Sequence, residues 1–276
     1  MKAAVRLITA LILIGFMCCQ GKEPDRMVVF DDYQIHINET GAGKPTVIIE
    51  AGLGSGFDAY DTLQTAISRL TRVLSYDRPG LGESTKSPKP RTLSVYIDEL
   101  RLLLEKEKIQ PPYILLGHSL GGLLVRYYAY TYPEEVVGLV LVDCVHEDWF
   151  EYIRTTHTEE EVEMFNKVID PDQYTGILRD EWEQFEHNCE LMRGIEIPQH
   201  IPTRIITAVQ YGEDQQNLGY HPEDMAAWAD MQARMMNNLI DAEQIITDKS
   251  GHSVQLSEPE LIIDAVKELI EIYRSR

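Results

Sequence analysis

The residues best suited to chemistry lie in the run Gly117-His118-Ser119-Leu120-Gly121. An apolar, strand-like stretch at 113–117 leads into it and a helix-like stretch at 123–132 follows. A serine on a sharp strand-to-helix turn presents its hydroxyl clear of the sheet. Such a turn needs glycine two positions before and after, where a Cβ would collide with the neighbouring strand or helix. A serine hydroxyl is a poor nucleophile near neutral pH, so this turn implies catalysis only if a base can take its proton, and that base should be a histidine. Of the 8 histidines, His252 is the best placed: it sits in Ser250-Gly251-His252-Ser253, between a strand-like run at 244–247 and the last helix. Open parallel sheets bind ligands at such strand ends. The expected chemistry is acyl transfer, with Ser119 as nucleophile and His252 as base. His118 and His146 are expected to be structural or surface groups.

The surrounding elements must bring two residues 133 positions apart together. From residue 28 onward β-rich runs alternate with helix-like ones, the pattern of a parallel sheet flanked by helices. Residues 27–38 read as a hairpin, with Gly41 and Gly43 as turn residues. The runs Thr46–Glu50, Val73–Tyr76 and 113–117 lack polar alternation, as strands covered on both faces do, and are expected to be central. Helices are expected at 58–70 and Leu93–Glu107, where Tyr96, Leu100 and Leu103 share a face. A further strand at Val136–Val142 precedes an acidic stretch at 146–200 that is rich in helix formers, read as a helical insert. The pattern then resumes with a strand at 203–209, a helix at 222–239, a strand at 244–247 and a last helix. That helix is expected to open on a capping box of Ser257 and Glu260, with Pro259 in its first turn. The division is therefore a leader at 1–21, the first part of the core at 22–145, the insert at 146–200 and the second part of the core at 201–276.

The leader reads MKAAVRLITALILIGFMCCQ: Lys2 and Arg6 precede an apolar run too short to span a bilayer as a helix, the layout of a signal peptide. Cys18 and Cys19, at its polar end, resemble the lipidated cysteine of bacterial lipoproteins, although no small residue precedes either in the usual way. The expectation is an exported protein, periplasmic or held at a membrane facing outward through a lipidated cysteine. Acidic residues outnumber basic ones 45 to 25, giving a formal charge of -20 that argues against nucleic-acid partners. Cys144 and Cys189 lack zinc-site spacing and read as small apolar residues, with a disulfide between them left open.

Four blocks, IIEAGLGSG, SYDRPGLGES, LLGHSLGG and SGHSVQLSEPELI, stand in an order and at intervals that resemble the α/β-hydrolase superfamily, its serine-nucleophile branch. The resemblance runs from the amino-terminal hairpin to the last helix. It implies a mostly parallel sheet with helices on both faces and a helical cap. It also implies an oxyanion hole built from the backbone amides of Leu53 and Leu120, with Ala51 standing where the family often has His. The family places the acid that orients the histidine after either of two strands. Asp143 fits one location and is preferred because VLVDCVHED resembles a subgroup sharing SYDRPGLG; Glu213 and Asp214 fit the other. Neither metal nor organic cofactor is implied. The expected partner is a small molecule with an ester-like bond. Amides, thioesters, lactones or carbon–carbon bonds could be cleaved by the same residues, and a non-catalytic binding protein on the same scaffold is the alternative class.

Overall fold

A computed structural model describes residues 24–276; the leader, with Cys18 and Cys19, lies outside the described residues. Eight strands form one sheet: β1 (Asp25–Val29), β2 (Gln34–Thr40), β3 (Thr46–Glu50), β4 (Val73–Tyr76), β5 (Tyr113–His118), β6 (Val136–Val142), β7 (Thr203–Ala208) and β8 (Ala242–Thr247), in the order β1-β2-β4-β3-β5-β6-β7-β8. The hairpin β1–β2 is antiparallel and β2 pairs antiparallel with β4; every later pairing is parallel. Chain order reverses at β3, so β3 and β5 lie side by side at the centre. The loops after both strands then open at the same carboxyl edge, where a ligand can sit.

The helices are α1 (Asp61–Ile67), α2 (Leu93–Glu107), α3 (Leu120–Thr131), α4 (Trp149–Thr156), α5 (Glu159–Ile169), α6 (Gly176–Met192), α7 (Glu213–Asn217), α8 (Asp224–Arg234), α9 (Val254–Ser257) and α10 (Pro259–Arg274). Successive side chains of a strand point to opposite faces, so unbroken apolar strands supply two cores. In β5, Leu115 joins the core that holds Leu100 of α2 and Leu123 of α3, while Ile114 and Leu116 join the one that holds Leu63 of α1 and Leu269 of α10. Each such fully buried aliphatic side chain contributes about 1.5–3 kcal/mol.

The central strands and α2 fall where the apolar runs place them. The expected helix at 58–70 is divided into a 3-10 turn, Phe57–Tyr60, and α1, and the helix expected at 222–239 is shorter, as α8. The start of the last helix is a correction. Its N-cap is Glu258, and no side chain caps it. The chain makes the extra helical turn α9 just before, so Ser257 is the last residue of that turn and not the N-cap of α10; its hydroxyl donates back to Ser253 O at 3.2 Å and lies 2.6 Å from Ser250 Oγ.

Candidate active site

Ser119 sits between β5 and α3 at φ 54° and ψ -118°, a left-handed conformation that side chains seldom adopt. Its N–H donates to Val142 O at 3.1 Å, and its carbonyl accepts from Gly122 at 3.0 Å and Val145 at 3.3 Å. The flanking glycines make the turn possible. A Cβ on Gly117 would fall 2.4 Å from Gly121 O, and one on Gly121 would fall 2.2 Å from Glu50 O, both backbone atoms that cannot yield. Leu120 is the first residue of α3, so its N–H has no acceptor within the helix and is free to face a ligand at the helix's positive end.

Asp143, just past β6, is 4% exposed and also takes a positive φ, 40°. Its N–H is fixed by Ile206 O at 2.7 Å. Its Oδ1 accepts from the Ala208 N–H at 3.1 Å, from Trp228 Nε1 at 2.7 Å and from Gln232 Nε2 at 3.4 Å. The other oxygen, Oδ2, lies 2.6 Å from His252 Nδ1. A carboxylate only accepts, so Nδ1 carries the proton and Nε2 is left as the basic nitrogen. Burial opposes the charged imidazolium, but the hydrogen bond and the negative charge of Asp143 outweigh it and hold His252 above its usual range. Its side chain is about half-exposed and lines the same cavity as Ser119 and Asp143. Among the described residues no hydrogen bond joins Ser119 to His252; such contacts commonly tighten only when substrate is bound. Glu213 and Asp214 begin α7, exposed to solvent, and neither meets His252.

Two arrangements behind the loop after β3 went unassigned in the sequence. The Arg78 guanidinium donates to Ala51 O at 2.6 Å and Gly52 O at 2.7 Å, and its Nε to Glu181 Oε1 at 3.0 Å. Glu181, on α6, reaches back with Oε2 to accept from the Gly54 N–H at 2.7 Å. A buried insert carboxylate thus grips the loop that carries Leu53 from two sides. Beneath Arg78, burial pushes the Glu50 carboxyl up to about 7 even though the guanidinium opposes it. The second arrangement involves His118. Its Nε2 donates to the His252 carbonyl at 2.8 Å, so its Nδ1 must accept from the Tyr60 hydroxyl at 3.0 Å, which itself accepts from the Gly52 N–H at 3.3 Å. Burial, and then the neighbouring His252, push His118 down to about 3, so it stays neutral in this chain. It is a structural group, and what the sequence did not show is that it reaches both flanking loops.

The cavity measures about 570 Å³. Leu53, Ser119, Asp143 and His252 form its floor, while Trp149, Phe150, Phe165, Trp182 and Phe185 of the insert wall it. The first four of these aromatics belong to or pack against the insert's apolar core, and they also face the ligand space. Cys144 and Cys189 are free, buried thiols, and Cys144 packs where a Cβ on Gly122 would come 2.4 Å from its sulfur.

Comparison with known proteins agrees with this architecture. A family model described as alpha/beta hydrolase fold matches residues 45–183. An AB hydrolase superfamily protein of Gibberella zeae is 25% identical over 84% of this chain and 88% of its own. The uncharacterised protein YbdG of Bacillus subtilis is 30% identical over 42% of this chain and 37% of its own. The chain spans about two fifths of the length (40%, 37% and 41%) of three curated relatives it matches. Among solved structures, mouse alpha/beta hydrolase domain-containing protein 10 superposes with a TM-score of 0.67 at 17% identity, covering 90% of this chain and 99% of that one. With the reversal of strand order at β3, the strained serine turn after β5 and a family match across half the sequence, the chain belongs to the α/β-hydrolase family.

Proposed function

We propose that the protein is a serine hydrolase that cleaves an ester-like bond in an uncharged, largely apolar small molecule. The observation that carries this reading is the 2.6 Å contact of His252 Nδ1 with the buried carboxylate of Asp143, on a cavity floor shared with Ser119. In this mechanism Ser119 Oγ attacks the carbonyl carbon as His252 Nε2 takes its proton. Asp143 stabilises the imidazolium, and the amides of Leu53 and Leu120 receive the oxyanion, each typically contributing ~3 kcal/mol in the transition state. His252 then gives the proton to the leaving alcohol, and water attacks the acyl-enzyme by the reverse route. The insert keeps bulk water from the intermediate.

The substrate class follows from the wall. Among the described residues lining the cavity none is Lys, Arg or Glu, while aromatic and aliphatic side chains dominate. A charged group would lose its hydration there with no partner to replace it. A fluorophosphonate probe should label the wild-type chain and leave Ser119→Ala unlabelled. Across p-nitrophenyl esters, kcat/KM should rise from acetyl to medium-length acyl chains and fall when the acyl end bears a charge. Well-folded wild-type protein that takes no label would overturn the reading in favour of a binding protein. For the amino terminus we propose export with lipid on Cys18 or Cys19; failure of labelled palmitate to enter the protein in cells would remove the lipid from this account.

A further inference from the structure

Acyl transfer divides the cavity by what each side must hold. His252 gives its proton to the leaving alcohol, so that alcohol lies against the histidine loop, while the acyl chain leaves the carbonyl carbon in another direction. The lining differs to match. The insert presents rings and aliphatic groups, Phe150, Phe165 and Trp182 among them. The histidine loop and its neighbour add uncharged polar side chains: Ser253 beside His252, Gln255 in α9, and Gln210, whose Oε1 lies 3.9 Å from where a Cβ on Gly251 would stand. Leu256, 65% exposed, lines the cavity next to Gln255.

Gln255 is the member of this group that the fold leaves without a partner. The residue is 5% exposed, and among the described residues no donor reaches its buried Oε1. The carboxamide of Gln215, by contrast, is occupied, its Oε1 accepting from the Gly212 N–H at 3.0 Å. Burial takes the Gln255 oxygen from water and returns no hydrogen bond, a cost that an apolar side chain of the same size would not incur. Val254, the preceding residue of α9, shows what packing alone asks for, a fully buried aliphatic group in the core. The loss at Gln255 is offset when a ligand brings the missing partner. An amide turns about its last side-chain bond, so either its oxygen or its NH2 can meet that ligand, and a hydroxyl, donor and acceptor at once, pairs with both.

The backbone around this carboxamide is fixed. The His252 carbonyl accepts from His118 Nε2 at 2.8 Å, and the Ser250 and Ser257 hydroxyls meet at 2.6 Å. A charged head group finds no counterpart here. The carboxylate on the cavity floor, Asp143, has Oδ2 on His252 and Oδ1 on Trp228 and Ala208.

We infer that Gln255 selects the alcohol half of the substrate, and that the protein takes monoesters of a diol or polyol. The apolar acyl chain lies under the insert, and a second, free hydroxyl of the alcohol hydrogen-bonds the Gln255 carboxamide. This rests on the serine hydrolase reading. Water supplies OH to the acyl carbon and H to the alcohol oxygen, so one ester bond becomes a free acid and the polyol.

The test compares 1-octanoylglycerol with propyl octanoate, which keeps the acyl chain and the three-carbon alcohol but lacks both free hydroxyls, each below the concentration at which it aggregates. The wild-type chain should favour the glycerol ester by about tenfold or more in kcat/KM, chiefly through KM, because the hydrogen bond exists before and during the reaction. Gln255→Leu, similar in size and without polar atoms, should bring that ratio to within about twofold of one. Should Gln255→Leu fail to fold, Gln255→Met makes the same measurement with an unbranched side chain. Fluorophosphonate labelling of the same preparations separates two kinds of failure. Labelled wild-type protein that hydrolyses both esters equally, the outcome for a carboxamide served by water alone, would overturn the role of Gln255 and leave the serine hydrolase standing. Folded protein that takes no label would overturn both. A preference for the glycerol ester that survives undiminished in the Gln255 variants would also remove the role from this residue.

Discussion

The serine and the histidine that faces it across the cavity are held by opposite means. On the Ser119 side the restraint is steric: a left-handed turn is locked between backbone atoms that leave no room for a Cβ at Gly117 or Gly121. On the His252 side it is polar: Asp143 is held by three donors on one oxygen and holds the imidazole with the other, and the His252 carbonyl is tied to His118. A steric lock is insensitive to pH and fails by unfolding. A hydrogen-bonded one can be detuned while the fold stands, so the two sides should respond differently to the same severity of mutation.

The largest effect expected is from Ser119→Ala, which should cost about 10⁵–10⁶-fold in kcat for an activated ester while leaving Tm within a degree or two, since it removes one hydroxyl from an intact turn. Asp143→Asn comes next. It should lower kcat by about 10³–10⁴-fold with little change in KM, and Asp214→Asn should stay within about twofold; the reverse result would transfer the acid's role to α7.

Gly121→Val would sharpen the contrast from the other side. A Cβ 2.2 Å from Glu50 O should destabilise the chain by about 3 kcal/mol or more, so activity should be lost through a lower Tm and poor solubility rather than through kcat of the folded fraction. Glu181→Gln weakens the grip on the loop that carries Leu53, and about a tenfold fall in kcat is expected with KM nearly constant, because the oxyanion forms only in the transition state. An unchanged kcat would mean that Arg78 holds the loop by itself.

The smallest effect is a pH displacement. In the proposed mechanism His252 serves as base only when neutral, and Asp143 raises its pKa, so kcat/KM should fall as pH drops through a midpoint above the ordinary imidazole value of about 6.5. In Asp143→Asn the residual activity should have its acid limb displaced to lower pH. An unmoved limb would mean that another group sets it.

Much of this was legible in the chain because it is local. The unbroken apolar runs that became β3, β4, β5 and β6 announce strands covered on both faces, and the glycine spacing around Ser119 announces a turn without room for side chains. Asp143 could be favoured over Asp214 only through family likeness, because nothing in the local sequence says which strand end lies beside residue 252. The roles of His118, Arg78 and Glu181 left no local mark. A histidine inside a serine motif and a glutamate 103 residues from its arginine look like any other polar groups until the fold brings them together. The capping box expected at Ser257 failed for a related reason: a short helical turn in the histidine loop ends on Ser257 and leaves Glu258 as the N-cap.

By itself the sequence determined where the strands run, which serine sits at the strained turn and which histidine ends a strand, since apolar period and glycine spacing are properties of neighbouring residues. Only the tertiary structure decided which carboxylate reaches His252 and that an insert glutamate grips the loop after β3. Those outcomes depend on distances of about 3 Å between groups far apart in the chain, and such distances are set by how β5, β6 and the insert pack, not by any one segment.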